Sequence, residues 1–329
     1  MAIKDMQATL GHLTDQTLSA LDPILIAGPT ASGKSALAVS LAELLHGTVI
    51  NADSMQVYSD LCVVTARPTP ADMARAPHRL YGTVPADQSY STGAWLRDAE
   101  RIMEAVQQEG RRPILVGGTG LYFKALTEGF AEMPEIDPAI RADCRKLAAD
   151  GGPDAVRTAL AKHDPSGADT LADLQRLTRA LEVVLSTGRP ISDWQTTATP
   201  RPLLPLARCV PLVLAPSRPW LHARIAARAE LMTGPEGCRE VDRLLARKLD
   251  PALPAMRAIG VKEIRDMIEG RASEEETHER ITVATRQYAK RQDTWFRNQM
   301  PQWHRMHPET WTTEDPVLNL CIYTASQNE

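Results

Sequence analysis

The chain has 329 residues, with 41 Asp and Glu against 37 Lys and Arg, a formal net charge of −4. Apolar residues make up 43% and charged residues 24%, close to globular averages, which excludes wholesale disorder, collagen and a simple coiled coil. The longest apolar runs, ILIA at 24–27 and ILV at 114–116 among them, fall far short of the ~20 residues of a membrane span. The N-terminus carries Asp5, His12 and Asp15 and lacks the apolar stretch of a secretory signal, so a cytoplasmic protein without a membrane partner is expected. The cysteines (Cys62, Cys144, Cys209, Cys238, Cys321) are scattered, with no CxxC pair, which argues for reduced thiols and against a zinc ribbon. The acidic total does not exclude nucleic acid, because binding needs only a local basic face. Segment 280–305 offers one: Arg280, Arg286, Lys290, Arg291, Arg297 and Arg305 stand against Asp293 alone.

Residues 1–22 are polar and read as a flexible N-terminal extension. PILIAG (23–28) is a buried strand, 34–45 a helix with Leu37, Leu41 and Leu44/Leu45 on one face, and TVINADS (48–54) a second strand. Residues 67–85 read as a mobile loop with a short helix, and 93–109 as a helix burying Leu96, Ala99, Met103 and Val106. RRPILVGGTG (111–120) is a third strand running into a glycine turn. This alternation of apolar strands and helices predicts an α/β fold whose parallel sheet is covered on both faces. A linker-like stretch, 131–138, leads into helices broken by GGPD and HDPSG. The helix over 169–186 places Leu174, Leu177, Leu181 and Val184/Leu185 on an apolar face, and Arg176 and Arg179 on another. Residues 201–216 make a connection and a fourth strand. Helices follow over 219–233, 236–247, 260–270 and 273–299. The predicted domains are a catalytic core of 23–133 with 201–315, an inserted all-helical domain over 134–200, and a C-terminal tail over 316–329.

Gly28-Pro29-Thr30-Ala31-Ser32-Gly33-Lys34-Ser35 matches G-x-x-x-x-G-K-S/T between a strand and a helix, the context in which the motif cradles phosphates. Its backbone amides and the helix N-terminus favour an anion, Lys34 supplies a mobile full charge, and the Ser35 hydroxyl suits Mg²⁺. The fold is therefore expected to be P-loop NTPase-like. A common P-loop ATPase has an apolar strand ending in a metal-holding acid. PILVGG ends instead in Gly117-Gly118-Thr119-Gly120, and the available acid is Asp53, at the end of the second strand. Strand ends share one crevice in such sheets, so Asp53 should lie near the loop without necessarily touching the metal; the alternatives are a helix cap or a residue supporting the metal's ligands.

Beyond GPTASGKS, the runs NADSMQVY (51–58), TARPTP (65–70), PHRL (77–80), VGGTGLYFKAL (116–126), DLQRLTRALEVVLSTGRP (173–190), PAMRAIGVKE (254–263) and TRQYAKRQDTWFR (285–297) stand in one order. Together they resemble the tRNA dimethylallyltransferases, which isopentenylate adenosine 37 beside the anticodon. Val64, Arg67 and Val261 depart from that pattern, where the family commonly has glycine, lysine and tyrosine. The lack of a zinc finger resembles the bacterial members.

The resemblance implies transfer of a dimethylallyl group from dimethylallyl diphosphate to the N6 amine, in a monomeric enzyme using Mg²⁺. Residues 28–35 would hold the diphosphate, with Thr30 touching it, Ser35 on the metal and Arg228 as a second cation. On spacing alone, Arg224 and Arg228 could equally be a solvated helix face. Asp53 is the candidate base for the poorly nucleophilic amine. Ser54, Met55 and Gln56 follow it, and Gln56 and Ser54 can read the adenine edge. Thr119 and Arg141 would contact the flipped nucleotide. Gln175, Arg176, Leu177, Thr178 and Arg179, with Arg257 and Lys262, match segments that grip the anticodon stem-loop. His78 is either a substrate contact or structural. The alternatives are a prenyltransferase acting on free adenine nucleotides, a small-molecule P-loop kinase, and an RNA-binding module with a relic loop.

Overall fold

In chain order the strands are β1 (Ile24–Ala27), β2 (Gly47–Asn51), β3 (His78–Arg79), β4 (Arg112–Gly117), β5 (Val210–Leu214) and β6 (His304–Met306). They were located in a computed structural model that describes residues 21–131, 136–197 and 201–310. The predicted extension, except residues 21 and 22, and the tail over 316–329 lie outside the described residues, as do part of the linker and Cys321. The strands form one six-stranded sheet in the order β3-β2-β4-β1-β5-β6. Every pairing in it is parallel. β1 sits inside the sheet, with Ile26 opposite Val116 on one side and Leu212 on the other. β1, β2, β4 and β5 are buried at every position, as strands covered on both faces must be.

The helices are α1 (Lys34–Leu44), α2 (Pro70–Arg75), α3 (Thr92–Gln108), α4 (Gly120–Glu128), α5 (Pro138–Ala161), α6 (Pro165–Thr170), α7 (Leu174–Thr187), α8 (Ile191–Thr197), α9 (Arg218–Thr233), α10 (Pro235–Ala246), α11 (Val261–Ile268) and α12 (Glu274–Gln299). Strand pleating sends alternate residues to opposite cores. Ile24 and Ile26 pack with Leu37 and Leu41 of α1. Leu25 and Ala27 pack with Trp95, Phe123 and Phe296 from α3, α4 and α12. A third cluster joins Val57, Leu61 and Val64 to Met232, Val241, Val261 and Ile281.

The chain divides into two compact units, with boundaries at Glu128/Gly129 and Pro202/Leu203. The unit between those boundaries is helical where described and has its own core of Cys144, Val156, Leu160, Leu177, Leu181 and Val184. The break expected at GGPD is a kink inside α5, where Gly152 has φ 62° and Pro153 follows. Asp173 caps α7, accepting from the Arg176 amide.

Within 67–85, α2 begins with a reciprocal capping box between Thr69 and Asp72. His78–Arg79 then adds beside Val49 and Ile50 as an edge strand. β6 forms the other edge, beside β5. Among the described residues no helix is long and apolar enough to cross a membrane. Cys62, Cys144, Cys209 and Cys238 are free thiols.

Candidate active site

β1 delivers the chain into the phosphate loop, and α1 leaves it with Gly33, in the left-handed region, as an N-cap that supplies no side-chain acceptor. The first-turn amides of α1 are thus left to an incoming anion. Ser32 is fully buried and its Oγ has no hydrogen-bond partner. Lys34 is not a mobile charge. It is buried, and its Nζ donates to the Pro29 carbonyl at 3.1 Å. Burial pushes its pKa down to about 8; Asp53 opposes that shift and Arg228 adds to it. Ser35 is exposed.

Arg224 and Arg228 of α9 both reach the loop with hydrogen bonds, Arg224 from an exposed position and Arg228 from a part-buried one. Arg224 Nε donates to the Ala31 carbonyl at 2.8 Å, and its guanidinium lies 4.8 Å over Trp220. Arg228 donates from Nη1 to Thr30 Oγ1 and from Nη2 to the Val64 carbonyl at 2.9 Å. Its Nε is buried without an acceptor. Burial lowers the Arg228 pKa, against the pull of Asp53. The loop thus offers an unpaired serine hydroxyl and uncapped amides, and Arg228, bonded to Thr30 of the same loop, an unpaired guanidinium N–H; donors of this kind suit a phosphate.

Asp53 sits two residues beyond the buried Asn51, which acts as a staple. Asn51 Nδ2 donates to the carbonyls of Asp53 (2.9 Å) and Leu80 (3.0 Å), and Oδ1 accepts from the Asp53 amide (2.9 Å). Trp95 Nε1 donates to the Asn51 carbonyl at 2.8 Å, fixing the end of β2. Asp53 Oδ1 accepts from the Met55 amide at 2.9 Å, while Oδ2 has no hydrogen-bond partner among the described residues. The carboxylate faces cations and phenols together. Besides Lys34 and Arg228, it acts on Tyr81, Tyr122 and Tyr288, whose pKa values rise first through burial and then through Asp53.

Thr119 Oγ1 accepts from the Ser54 amide at 2.9 Å and pairs with Ser54 Oγ at 3.2 Å, so the glycine turn and the Asp53 turn are joined. Met55 is half-buried against the third core cluster. Gln56 gives its Nε2 to the carbonyls of Thr65 (2.8 Å) and Ala66 (3.0 Å). A two-point grip on adenine needs that donor, so here Gln56 has only its oxygen to offer. His78 is buried, with Nδ1 2.8 Å from the Ala76 carbonyl, a structural placement.

Gln292 of α12 was not picked out from the sequence. Its Oε1 accepts from the Thr30 amide at 2.9 Å and its Nε2 donates to the Gly118 carbonyl at 2.8 Å. A Cβ on Gly118 would lie 2.2 Å from that Nε2, so only glycine admits the clamp. The available signal was a glutamine on the stripe Thr285, Ala289, Gln292, Phe296, all of them buried.

The remaining RNA candidates divide by exposure. In the sheet-bearing unit Arg257 and Lys262 are exposed, and Val261 beside them is a core residue. In the helical unit Gln175 and Arg176 are exposed and Arg141 is half-exposed. Arg179 is tied to Glu182 at 3.3 Å. Leu177 and Thr178 are corrections. Leu177 is fully buried, and Thr178 turns its hydroxyl to the Leu174 carbonyl at 2.7 Å, so neither side chain can grip RNA. The exposed face of α12 lines a groove of about 450 Å³ with Lys290, Arg291, Thr294, Trp295 and Asn298.

Residues 56–299 match the family model described as IPP transferase. The tRNA dimethylallyltransferase of Rhodopseudomonas palustris is 52% identical over 288 residues, covering 87% of this chain and 91% of that protein. The one from Chelativorans sp. is 51% identical over 285 residues, covering 86% and 97%. Among solved structures, the tRNA isopentenylpyrophosphate transferase of Bacillus halodurans aligns with TM-score 0.65 and 30% identity, covering 93% of this chain and 96% of that one. A eukaryotic dimethylallyltransferase acting on tRNA aligns with TM-score 0.75 and 25% identity, covering 93% and 80%. With most of its length matched by that model and by relatives at half identity, the chain belongs to the IPP transferase family.

Proposed function

We propose that the protein is a tRNA dimethylallyltransferase that moves the five-carbon group of dimethylallyl diphosphate to N6 of adenosine 37, beside the anticodon. The observation that carries this reading is Asp53, with one carboxylate oxygen unengaged, facing Lys34 and Arg228. A leaving diphosphate needs cations and amides where its charge concentrates, and an incoming amine needs an acceptor for its proton. In the step, the allylic C–O bond breaks and its electron pair goes to the diphosphate. The N6–C bond forms, and the N6 proton passes to Asp53 Oδ2. Thr30, Lys34, Arg228 and the first-turn amides of α1 hold the diphosphate.

Mg²⁺ belongs to the same proposal. Among the described residues no His/Cys/Asp/Glu group could hold a metal by itself. The exposed Ser35 hydroxyl has no hydrogen-bond partner among them. That donor set fits an ion that keeps most of its waters and takes oxygens from substrate phosphates, and Ser35 would hold it. Bound there, Mg²⁺ supplies charge neutralisation on the departing diphosphate.

The acceptor is the anticodon stem-loop, gripped by Arg141, Gln175, Arg176, Arg179, Arg257 and Lys262, with Ser54, Gln56 and Thr119 near the base. A single-stranded loop base is cheaper to extrude than a paired one. The protein works as a monomer in the cytoplasm. Incubation with dimethylallyl diphosphate, Mg²⁺ and either tRNA or AMP, followed by nucleoside mass analysis, tests the reading. Prenylated adenosine in tRNA digests supports it. Prenylated AMP alone replaces it with free-nucleotide transfer, and phosphoryl transfer from ATP with no isoprenoid consumed replaces it with a kinase.

A further inference from the structure

Residues 62–66 form a single tight turn. The Ala66 amide donates to the Val63 carbonyl and the Arg67 amide to the Cys62 carbonyl, both at 3.0 Å. The amides at the head of this turn point the other way, as at any helical N-terminus, and need an acceptor. That acceptor comes from far along the chain. Glu240 of α10, 3% exposed, accepts from the amides of Cys62 (2.7 Å) and Val63 (2.8 Å) on Oε2 and of Val64 (3.0 Å) on Oε1. Among the described residues its partners are these three amides, and no lysine or arginine pairs with it. The three amide hydrogen bonds offset the cost of burying the carboxylate and fix the turn they come from.

The consequence lies on the other side of the same peptide segment. The Val64 carbonyl accepts Arg228 Nη2 at 2.9 Å, and Arg228 Nη1 donates to Thr30 in the phosphate loop. Val64 is thus gripped at its N–H by α10 and at its C=O by α9. The two successive helices can converge because Gly237 lies against α9; a Cβ there would sit 2.0 Å from the Met232 carbonyl oxygen. We infer that Glu240 is a positioning residue for the diphosphate site: it sets the 62–64 turn so that the Val64 carbonyl holds the Arg228 guanidinium against the phosphate loop. The inference deepens the proposed reaction and rests on Arg228 meeting the diphosphate.

The test is a double-mutant cycle between Glu240→Gln and Arg228→Ala, read on kcat/KM for dimethylallyl diphosphate, on KM for tRNA, and on inorganic pyrophosphate binding by calorimetry. Glu240→Gln replaces one acceptor oxygen with an N–H₂ that faces an amide. It should lower kcat/KM for the diphosphate substrate by roughly ten- to a hundredfold, the worth of hydrogen bonds to a charged group, with KM for tRNA unchanged. In the Arg228→Ala background the same change should cost less than about threefold, because the arm it positions is gone. An equal penalty in both backgrounds, no penalty at all, or a penalty on KM for tRNA overturns the inference. If Glu240→Gln does not fold, Glu240→Asp, which keeps the charge but shortens the reach, enters the cycle with the same outcomes read. Pyrophosphate binding separates the two levels of argument. Coupling there with no prenylation of tRNA condemns the acceptor assignment alone, and absence of coupling there condemns the role of Glu240.

Discussion

Arg228 in the sheet-bearing unit and Arg176 in the helical unit carry the same guanidinium into opposite surroundings. Arg228 has two hydrogen bonds within the protein and a sealed Nε, and it leans on a phosphate loop that Gln292 also holds. Arg176 stands exposed on α7, and the helix beneath it is fixed by an Asp173 cap and by Leu177 and Leu181 in the core. The first arrangement suits bond breaking, where misplacement by about 1 Å costs rate. The second suits a polymer, where each phosphate contact adds a modest, salt-screened increment.

Four measurements would break or sharpen that contrast, taken from the largest expected effect downward. Asp53→Ala should lower turnover by about 10²–10⁴-fold while leaving tRNA affinity intact; near-normal turnover in single-turnover assays would remove Asp53 from the base role. Lys34 gives a pH signature. Its ligand-free pKa of about 8 means that a bound diphosphate recruits a proton to it. Affinity for a non-hydrolysable dimethylallyl diphosphate analogue should be level with respect to this lysine below about pH 8 and then fall by up to about tenfold per unit above it, and calorimetry in two buffers should record proton uptake. The same depressed pKa makes Lys34 a cost to the ligand-free fold that is full below about 8 and relieved as pH rises toward the ordinary 10.5. Gln292→Leu should destabilise the fold by about 1–3 kcal/mol, because the Thr30 amide and the Gly118 carbonyl each lose a partner. Thermal unfolding checks that loss, and kcat/KM for the diphosphate substrate should fall with it. Arg176→Ala should raise KM for tRNA severalfold and make the salt dependence of binding shallower by about one unit, with no change toward the diphosphate. Equal effects on both substrates would erase the distinction drawn between the two units.

What the sequence made legible follows from local chemistry. β1, β4 and β5 were visible because strands buried on both faces are continuous apolar runs, and the phosphate loop because its glycines, lysine and serine stand at fixed spacing. β3 and β6, two and three residues long, exist through pairing at the sheet edges and leave no periodic trace. The helical faces were legible for Arg176 and Leu181. Placing Leu177 and Thr178 among the RNA contacts treated a contiguous motif as a surface, although a helix turns about 100° per residue and sends neighbours inward. Whether Arg224 and Arg228 were solvated could not be decided on α9 alone, because their acceptors, Ala31, Thr30 and Val64, lie more than 160 residues away. Gln292 and Glu240 share that difficulty. Each is a polar residue on an otherwise buried helix face, a pattern that announces a partner without naming it.

Val64 stands where the resembling family commonly has glycine, and its side chain simply fills apolar space near Val261 and Met232. Its work is done by the peptide unit, which every amino acid except proline supplies in full. A scan that trims side chains would therefore read past it. Backbone chemistry, such as an amide-to-ester exchange at that position, is the tool that addresses it, and sequence drift there can proceed while the wiring underneath stays in place.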